Sequence, residues 1–169
     1  MSKRIAVILI EHFAEWEFGF LTSVARDYLG ATISYHTPGG KPVTAEGGLR
    51  ALPDGAIEDI DPTAFDALLV VGSARWDSDE APDIAPLIHR ANDAGRILGF
   101  ICMGRLAATQ AGLMTDAPDL PHAIRNSNII VAPGSAPVTF AIEMLNALWP
   151  EKNELFAGYY ADLAREHGV

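Results

Sequence analysis

Short runs of consecutive apolar residues alternate along the chain with segments whose apolar residues recur every three or four positions. The run at 5–10 is unbroken and β-branched, which is typical of a strand covered on both faces of a parallel sheet. Over 15–29 the spacing is helical, and Gly30 follows as a helix-ending residue. The same patterns predict strands over 31–35, 66–71 and 96–101, and helices over 80–94, 105–113, 133–148 and 151–166.

Glycine, proline and asparagine divide these elements and indicate two hairpins. Strand-like residues flank a Gly-Gly pair within 42–52 and an Asn-Ser-Asn turn within 123–131. Two prolines and two aspartates predict a loop over 115–121. We find no internal repeat or linker. The order of elements therefore predicts one domain over 1–169, an α/β, doubly wound, mostly parallel sheet with small hairpin decorations.

The charge balance narrows the classes of partner. Lys and Arg number 12 against 22 Asp and Glu, for a net charge of −10 at pH 7. Such a surface repels phosphate backbones and anionic lipid head groups, so we expect neither nucleic acid nor a membrane as a partner. The apolar run at 5–10 is too short for a secretory signal and acidic residues follow it. We therefore expect a cytoplasmic protein.

The cysteine at position 102 is the only one in the chain, which excludes an intramolecular disulfide. The strand predicted over 96–101 runs into Cys102 without a loop, and Gly104 and a helix follow at once. Such a strained turn points its side chain over the carboxyl edge of the sheet, where ligands bind. The helix N-terminus predicts a thiol pKa lowered into a range of roughly 3.5–7.5. The pattern alone fits an inert, packed thiol equally well.

A thiolate needs a proton partner, and two glutamates are candidates. Glu15 and Glu17 lie in the first turn of the helix predicted over 15–29 and point to different sides of it, so at most one can face the thiol. Acidic residues are favoured at helix N-termini on electrostatic grounds alone. The local pattern does not choose between the two.

Motifs for metals and nucleotides are missing from the sequence. The acidic run at 77–80 lacks the glycine and the terminal glutamate of a calcium loop, and a helix N-cap explains it better. No clustered zinc ligands, dinucleotide-binding glycine motif or phosphate-binding loop occurs. We expect no metal and no cofactor.

Several blocks of the sequence, taken in order, resemble the ThiJ/PfpI superfamily. They include the opening strand, Phe-Ala-Glu-Trp-Glu at 13–17, Pro-Gly-Gly at 38–40, Ile-Cys-Met-Gly at 101–104 and Ala-Pro-Gly-Ser-Ala-Pro at 132–137. Together they span nearly the whole chain. The resemblance implies a flavodoxin-like sandwich, usually dimeric, related to class I glutamine amidotransferases and to protease- and deglycase-type proteins.

The resemblance also implies roles for individual residues. Cys102 matches the reactive cysteine of the superfamily, and Glu17 matches the glutamate that hydrogen-bonds its sulfur. The backbone N–H groups of Gly72, Ser73 and Met103 match those that form an oxyanion hole.

The histidine of these proteins has no clear counterpart here. Superfamily members usually carry a His-Thr pair shortly after the helix that follows the cysteine, and then a long segment before the last hairpin. Here the chain runs almost directly from Met114 to His122 and the hairpin, so that this segment is missing. His122 is therefore the candidate for a third member of the site, although its flanks suit the start of a hairpin. It ranks ahead of His12, His36, His89 and His167.

Two main functions follow from these residues. The first is a cysteine-dependent enzyme of the hydrolase, amidase, lyase or deglycase type, in which Cys102 attacks a carbonyl or nitrile-like carbon of a small-molecule substrate. The second is a redox-sensing or stress-protective protein in which Cys102 forms a sulfinate held by protonated Glu17. A degenerate homologue that only dimerises is a third interpretation. In each case we expect a homodimer.

Overall fold

The computed structural model describes residues 2–115 and 120–166. Nine strands occur in this part of the chain: β1 (Arg4–Ile8), β2 (Thr32–Thr37), β3 (Val43–Thr44), β4 (Arg50–Ala51), β5 (Gly55–Ala56), β6 (Ala67–Val70), β7 (Ile97–Ile101), β8 (Ile124–Asn126) and β9 (Ile129–Ala132). The α-helices are α1 (Gly19–Ser23), which continues as a π-helical turn (Val24–Tyr28), α2 (Ala85–Asp93), α3 (Arg105–Gln110), α4 (Pro137–Leu148) and α5 (Asn153–Glu166). Short 3-10 turns lie at Glu15–Glu17, Pro38–Gly40, Ile57–Asp59, Pro62–Ala64, Ala74–Asp77, Cys102–Gly104 and Pro150–Lys152.

Seven strands form one sheet in the order β5-β2-β1-β6-β7-β9-β8. All neighbours are parallel except β8 and β9, which form an antiparallel pair. Strands β3 and β4 make a separate antiparallel hairpin. This is the flavodoxin-like α/β arrangement that the sequence predicts, with the two expected hairpins in place.

The unbroken apolar strands bury both of their faces. In β1, Ile5 and Val7 point into a core completed by α1, α4 and α5, whereas Ala6 and Ile8 point into a core completed by α2 and α3. Strands β6 and β7 divide their residues between the two cores in the same way. Continuous hydrophobicity is therefore the consequence of helices on both faces of a parallel sheet.

The register of the parallel strands brings their carboxyl ends to one edge. Ile8 of β1 pairs with Val70 of β6, Val70 pairs with Phe100 of β7, and Ile101 pairs with Ala132 of β9. The loops that follow these four strands therefore meet at the same edge of the sheet.

Two glycines allow helices to approach the central strands closely. At Gly99 in β7, an ideal Cβ would lie 2.7 Å from Sδ of Met144 and 2.9 Å from Cζ of Phe140, both on α4. At Gly104, which precedes α3, it would lie 2.6 Å from the carbonyl oxygen of Val70. Helix α4 therefore packs directly on the backbone of β7, and the turn before α3 packs directly on the backbone of β6. A side chain at either glycine would not fit.

The helix predicted over 15–29 is divided into three pieces. Residues Glu15–Glu17 form a 3-10 turn, Phe18 leaves helical geometry (φ −127°, ψ −11°), and α1 then continues into a π-helical turn. The hydrophobic spacing is shared by all three pieces, so the sequence pattern does not distinguish them.

Two other differences concern a short strand and the start of a helix. The edge strand β5 was not predicted, because two residues that include a glycine carry no alternating pattern. The helix predicted to start at residue 80 starts at Ala85, whose N–H donates to the Asp83 carboxylate, with Pro86 in its first turn. Parts of the predicted loop over 115–121, and His167, lie outside the described residues. Within 2–115 and 120–166, no helix combines the length and apolar character that a bilayer crossing requires.

Replacing Gly104 by alanine is expected to destabilise the fold, because the new methyl group would meet the Val70 carbonyl oxygen at 2.6 Å. Overpacking of this kind lowers the free energy of unfolding by roughly 1–3 kcal/mol. Gly158→Ala in α5 is the matched control, since no atom of the described residues lies within 4 Å of an ideal Cβ there. Because alanine is the better helix former, that change is expected to stabilise. Urea unfolding measures both, and an unchanged midpoint for Gly104→Ala would contradict the close packing.

Candidate active site

Cys102 occupies a strained turn between β7 and α3. Its φ is +54°, in the left-handed region that L-residues other than glycine rarely adopt. The 3-10 turn Cys102–Gly104 joins β7 to α3 with no intervening loop. The side chain is half-buried at the carboxyl edge of the sheet. This is the strained strand-to-helix turn that the sequence predicts.

Glu17 is the buried acid beside this thiol. Its side chain is only 1% exposed, and its Oε2 accepts a hydrogen bond of 2.8 Å from the N–H of Gly72. Within the described residues, Oε1 has no hydrogen bond of standard geometry; the Cys102 thiol lies beside it, and the two groups act on each other's pKa as a hydrogen-bonded pair. Glu15 turns away, and its carboxylate accepts from the N–H of Gly47 at 3.3 Å. Of the two candidate glutamates, Glu17 is the one that faces the thiol.

Two glycines close over the Cys102–Glu17 pair. An ideal Cβ on Gly72 would lie 2.5 Å from Oε2 of Glu17 and 2.7 Å from Cβ of Cys102. An ideal Cβ on Gly134, two residues beyond β9, would lie 2.7 Å from Sγ of Cys102 and 3.2 Å from Oε1 of Glu17. Backbone therefore contacts both groups of the pair from two sides, which requires glycine at both positions.

Burial raises the pKa of both groups of the pair. For Cys102, the loss of water on burial is the largest cause of the raised pKa, and the charge and the hydrogen bond of Glu17 raise it further. The pKa of the thiol rises to about 11. The N–H of Met103 and the charge of Arg105 act in the opposite direction. Burial likewise raises the pKa of Glu17, against hydrogen bonds from Gly72 and Cys102 that lower it. The predicted low thiol pKa is therefore wrong, because desolvation and a neighbouring carboxylate outweigh the positive end of a short helix.

The three N–H groups expected to form an oxyanion hole have different surroundings. The N–H of Gly72 already donates to Glu17, so it is not available to a substrate oxygen. The N–H of Met103 hydrogen-bonds the sulfur of Cys102. Ser73 is buried directly after Gly72. The N–H of Ser73 therefore remains a candidate, whereas that of Met103 can serve a substrate oxygen only in exchange for its contact with the sulfur.

The loop that carries Glu17 is fastened to the segment after β6. The N–H of Ala14 donates to the carbonyl oxygen of Gly72 at 2.9 Å, and the Ser73 hydroxyl donates to the carbonyl oxygen of Glu11 at 2.6 Å. Together with the bond between Gly72 and the Glu17 carboxylate, these contacts hold the acid in place. The sequence gives no signal for the role of the Ser73 side chain.

No contact brings His122 to the thiol. It is exposed and lines a cleft of about 820 Å³ formed by residues 121–123, the start of α4 and the end of α5. Within 2–115 and 120–166, no histidine is among the groups that shift the pKa of Cys102. The same part of the chain holds no group of three or more His, Cys, Asp or Glu side chains placed to bind a metal ion. The other described histidines are His36, which is buried on β2, and His12 and His89, which are exposed.

Comparison with known proteins identifies the family of this architecture. Residues 3–117 match the sequence profile of the DJ-1/PfpI family. The crystal structure of the DJ-1 superfamily protein Atu0886 from Agrobacterium tumefaciens is similar with a TM-score of 0.87 and 34% identity, over 98% of this chain and 100% of that one.

Two Bacillus subtilis proteins are also similar in sequence. "Putative cysteine protease YraA" is 36% identical over 86 residues, which is 49% of each chain, so the match spans about half the length of YraA. "Uncharacterized protease YoaZ" is 22% identical over 176 residues, which is 87% of this chain and 84% of that protein.

Glu17→Gln is expected to lower the pKa of Cys102, because it removes the negative charge and the carboxylate that favour the protonated thiol. A pKa lower by one unit makes alkylation by iodoacetamide near pH 8 about tenfold faster. In the unmodified protein the alkylation rate should still rise near pH 10, since the pKa of the thiol is about 11. Glu15→Gln is the control and should leave the profile unchanged. A midpoint at or below about 8.5, the ordinary thiol value, would contradict the raised pKa.

Proposed function

The chain belongs to the DJ-1/PfpI family, and from this premise we propose that it is a cysteine-dependent small-molecule enzyme. Cys102 is the nucleophile and Glu17 its proton partner. The observation that carries the proposal is a buried carboxyl, anchored by Gly72, beside a thiol on a strained turn. Backbone strain and a perturbed acid gathered at the carboxyl edge of a sheet are features of functional sites. The names of the two Bacillus relatives support a carbonyl carbon as the electrophile.

The raised pKa of the thiol decides how the first step proceeds. With a pKa of about 11, roughly one Cys102 in ten thousand is a thiolate at pH 7, so the proton leaves as the new bond forms. Oε1 of the Glu17 carboxylate takes the thiol proton while the sulfur electron pair forms the C–S bond. The π pair of the carbonyl moves onto its oxygen, where the N–H groups of Ser73 and Met103 stabilise the negative charge.

The second half of the step returns the proton. The Glu17 carboxylic acid donates it to the new oxyanion, which gives a reversible adduct, or to a leaving group, which gives a thioester; in both cases the carboxylate is restored. Water then attacks the thioester, Glu17 carries a proton from the water to the sulfur, and the C–S bond breaks, which frees Cys102. Burial raises the pKa of Glu17 and so makes it a better holder of this proton than an exposed glutamate.

The surroundings of the sulfur favour a small substrate. The Gly134 backbone lies so close that a Cβ would be 2.7 Å from Sγ of Cys102. The cleft of about 820 Å³ is lined by neither Cys102 nor Glu17. We therefore propose a compound of few heavy atoms with an aldehyde, amide or nitrile carbon.

Cys102→Ser and Glu17→Gln are expected to reduce turnover for different reasons. The first removes the nucleophile and abolishes activity on a panel of small aldehydes, amides and nitriles. The second removes the proton acceptor and lowers kcat by roughly 10²–10⁴-fold, although the thiol itself alkylates faster. Product formation measured alongside alkylation checks both, with Glu15→Gln as the control. Full turnover in Glu17→Gln would remove Glu17 from the mechanism.

The confined sulfur and the protonatable acid also favour a second function, a redox sensor. A peroxide is small enough to reach Cys102: the sulfur attacks one oxygen, the O–O bond breaks, water leaves and a sulfenic acid forms. A second peroxide converts it to the sulfinic acid in the same way. The O–H of neutral Glu17 and the N–H of Met103 then donate to the new oxygens and hold the product.

Limited peroxide treatment is expected to add two oxygens, about 32 Da, to Cys102. Glu17→Ala should lose this defined product, because the donor that holds the sulfinate is missing. Intact mass with peptide mapping measures the gain, and Cys102→Ala corrects for methionine oxidation. A thiol that stays reduced would contradict the sensor, and a protein with neither oxidation nor turnover would be the degenerate homologue.

The cytoplasmic homodimer expected from the sequence stays a prediction. Exposed apolar side chains favour a dimer, since Trp16, Leu49 and Leu52 are 54%, 58% and 75% exposed. The hydrogen bond between Gly47 and Glu15 holds the loop with Trp16 against the segment that carries the two leucines.

A further inference from the structure

A second, smaller cleft lies where the strand order reverses. The chain passes from β1 to β2 on one side and later to β6 on the other. Ligands of open α/β sheets bind in the crevice outside the carboxyl ends of the strands at this point. The cleft has a volume of about 250 Å³ and is lined mostly by residues that follow β1, β2 and β6: Ile10, Glu11, Pro38, Lys41, Val43, Arg75, Glu80 and Pro82.

The lining combines an apolar wall with charges of both signs. Lys41 and Arg75 supply two cations, and Glu11 and Glu80 supply two carboxylates. All four side chains are exposed, so a ligand from solvent can reach them. The remaining lining residues are two aliphatic residues and two prolines.

These charges are weakly engaged with one another. Arg75 and Glu80 are 4.0 Å apart and exposed, which makes a weak ion pair. The ion pairs found in the described part of the chain do not include Lys41. Glu11 uses one carboxylate oxygen to accept from the N–H of Thr44 at 3.1 Å. A ligand can therefore engage the cations without breaking a strong contact.

The geometry points to a binding site for a small zwitterion, a free amino acid or a molecule with the same charge pattern. Its carboxylate lies with Lys41 and Arg75, its ammonium group with Glu11 and Glu80, and its aliphatic part on the apolar wall. The volume of about 250 Å³ is below the roughly 300–1,000 Å³ of pockets for drug-sized ligands, which limits the ligand to amino-acid size. This site does not depend on the reactivity of Cys102.

Ser73 links this cleft to the thiol site. Its hydroxyl accepts from the N–H of Arg75 at 3.0 Å and donates to the carbonyl oxygen of Glu11 at 2.6 Å. The adjacent Gly72 holds the carboxylate of Glu17. A ligand that moves Arg75 or Glu11 therefore acts on the residues that position the acid.

An NMR titration of ¹⁵N-labelled Cys102→Ala protein with L-leucine tests the site, and this variant separates it from any failure of the thiol chemistry. We expect saturable shifts of the amides of Lys41 and Arg75. Acetate and methylamine, which each carry one of the two charges, should not saturate over the same range. Lys41→Ala and Arg75→Ala should each weaken L-leucine binding at least tenfold, and Arg26→Ala, which changes an exposed arginine outside the cleft, should not.

Three results would overturn the inference. One is the absence of saturable shifts with L-leucine. Another is equal saturation by acetate or inorganic phosphate, which would show a simple anion site. The last is unchanged L-leucine affinity in both cation variants. Glu80→Gln, in a side chain 85% exposed, gives an independent test with little risk to folding, and it should weaken L-leucine binding.

Discussion

The hydrogen bond from the Gly72 N–H to the carboxyl of Glu17 is the contact on which the site depends. A carboxyl group that is 1% exposed needs a partner to offset its loss of water, and this N–H is the partner that Oε2 has. The bond also determines which oxygen is left for Cys102. Since the carbonyl oxygen of Gly72 accepts from the N–H of Ala14 as well, the acid and its loop are held by Gly72 and the adjacent Ser73, just after β6.

The sequence pattern was sufficient to locate Cys102 and to narrow the acid to two glutamates, because these signals are local. Unbroken apolar runs predict strands buried on both faces, and parallel strands place their following loops at one edge. A cysteine that follows a strand directly must then lie at that edge. The resemblance to a family selected Glu17 over Glu15, a choice that helical spacing alone left open. The structure accounts for this choice, since Glu15 is bound to Gly47 instead.

The protonation of the site could not be predicted in the same way. The expected low pKa of the thiol counted the helix end next to Cys102 but neither the water lost on burial nor the charge of Glu17, which reaches it only through the fold. That the Gly72 N–H donates to Glu17, rather than to a substrate oxygen, could not be predicted either, because the two residues are distant in sequence. The two-residue strand β5 and the divided first helix were missed since neither changes the hydrophobic pattern.

Packing at Gly99 affects the surroundings of the Cys102 sulfur. The missing side chain in β7 sets how near α4 lies to the sheet, and α4 is the helix entered from the loop that carries Gly134. The distance of α4 from the sheet therefore influences how close the Gly134 backbone lies to the sulfur of Cys102. The space around the sulfur is thus set partly by a buried position inside the sheet, away from the edge at which Cys102 lies.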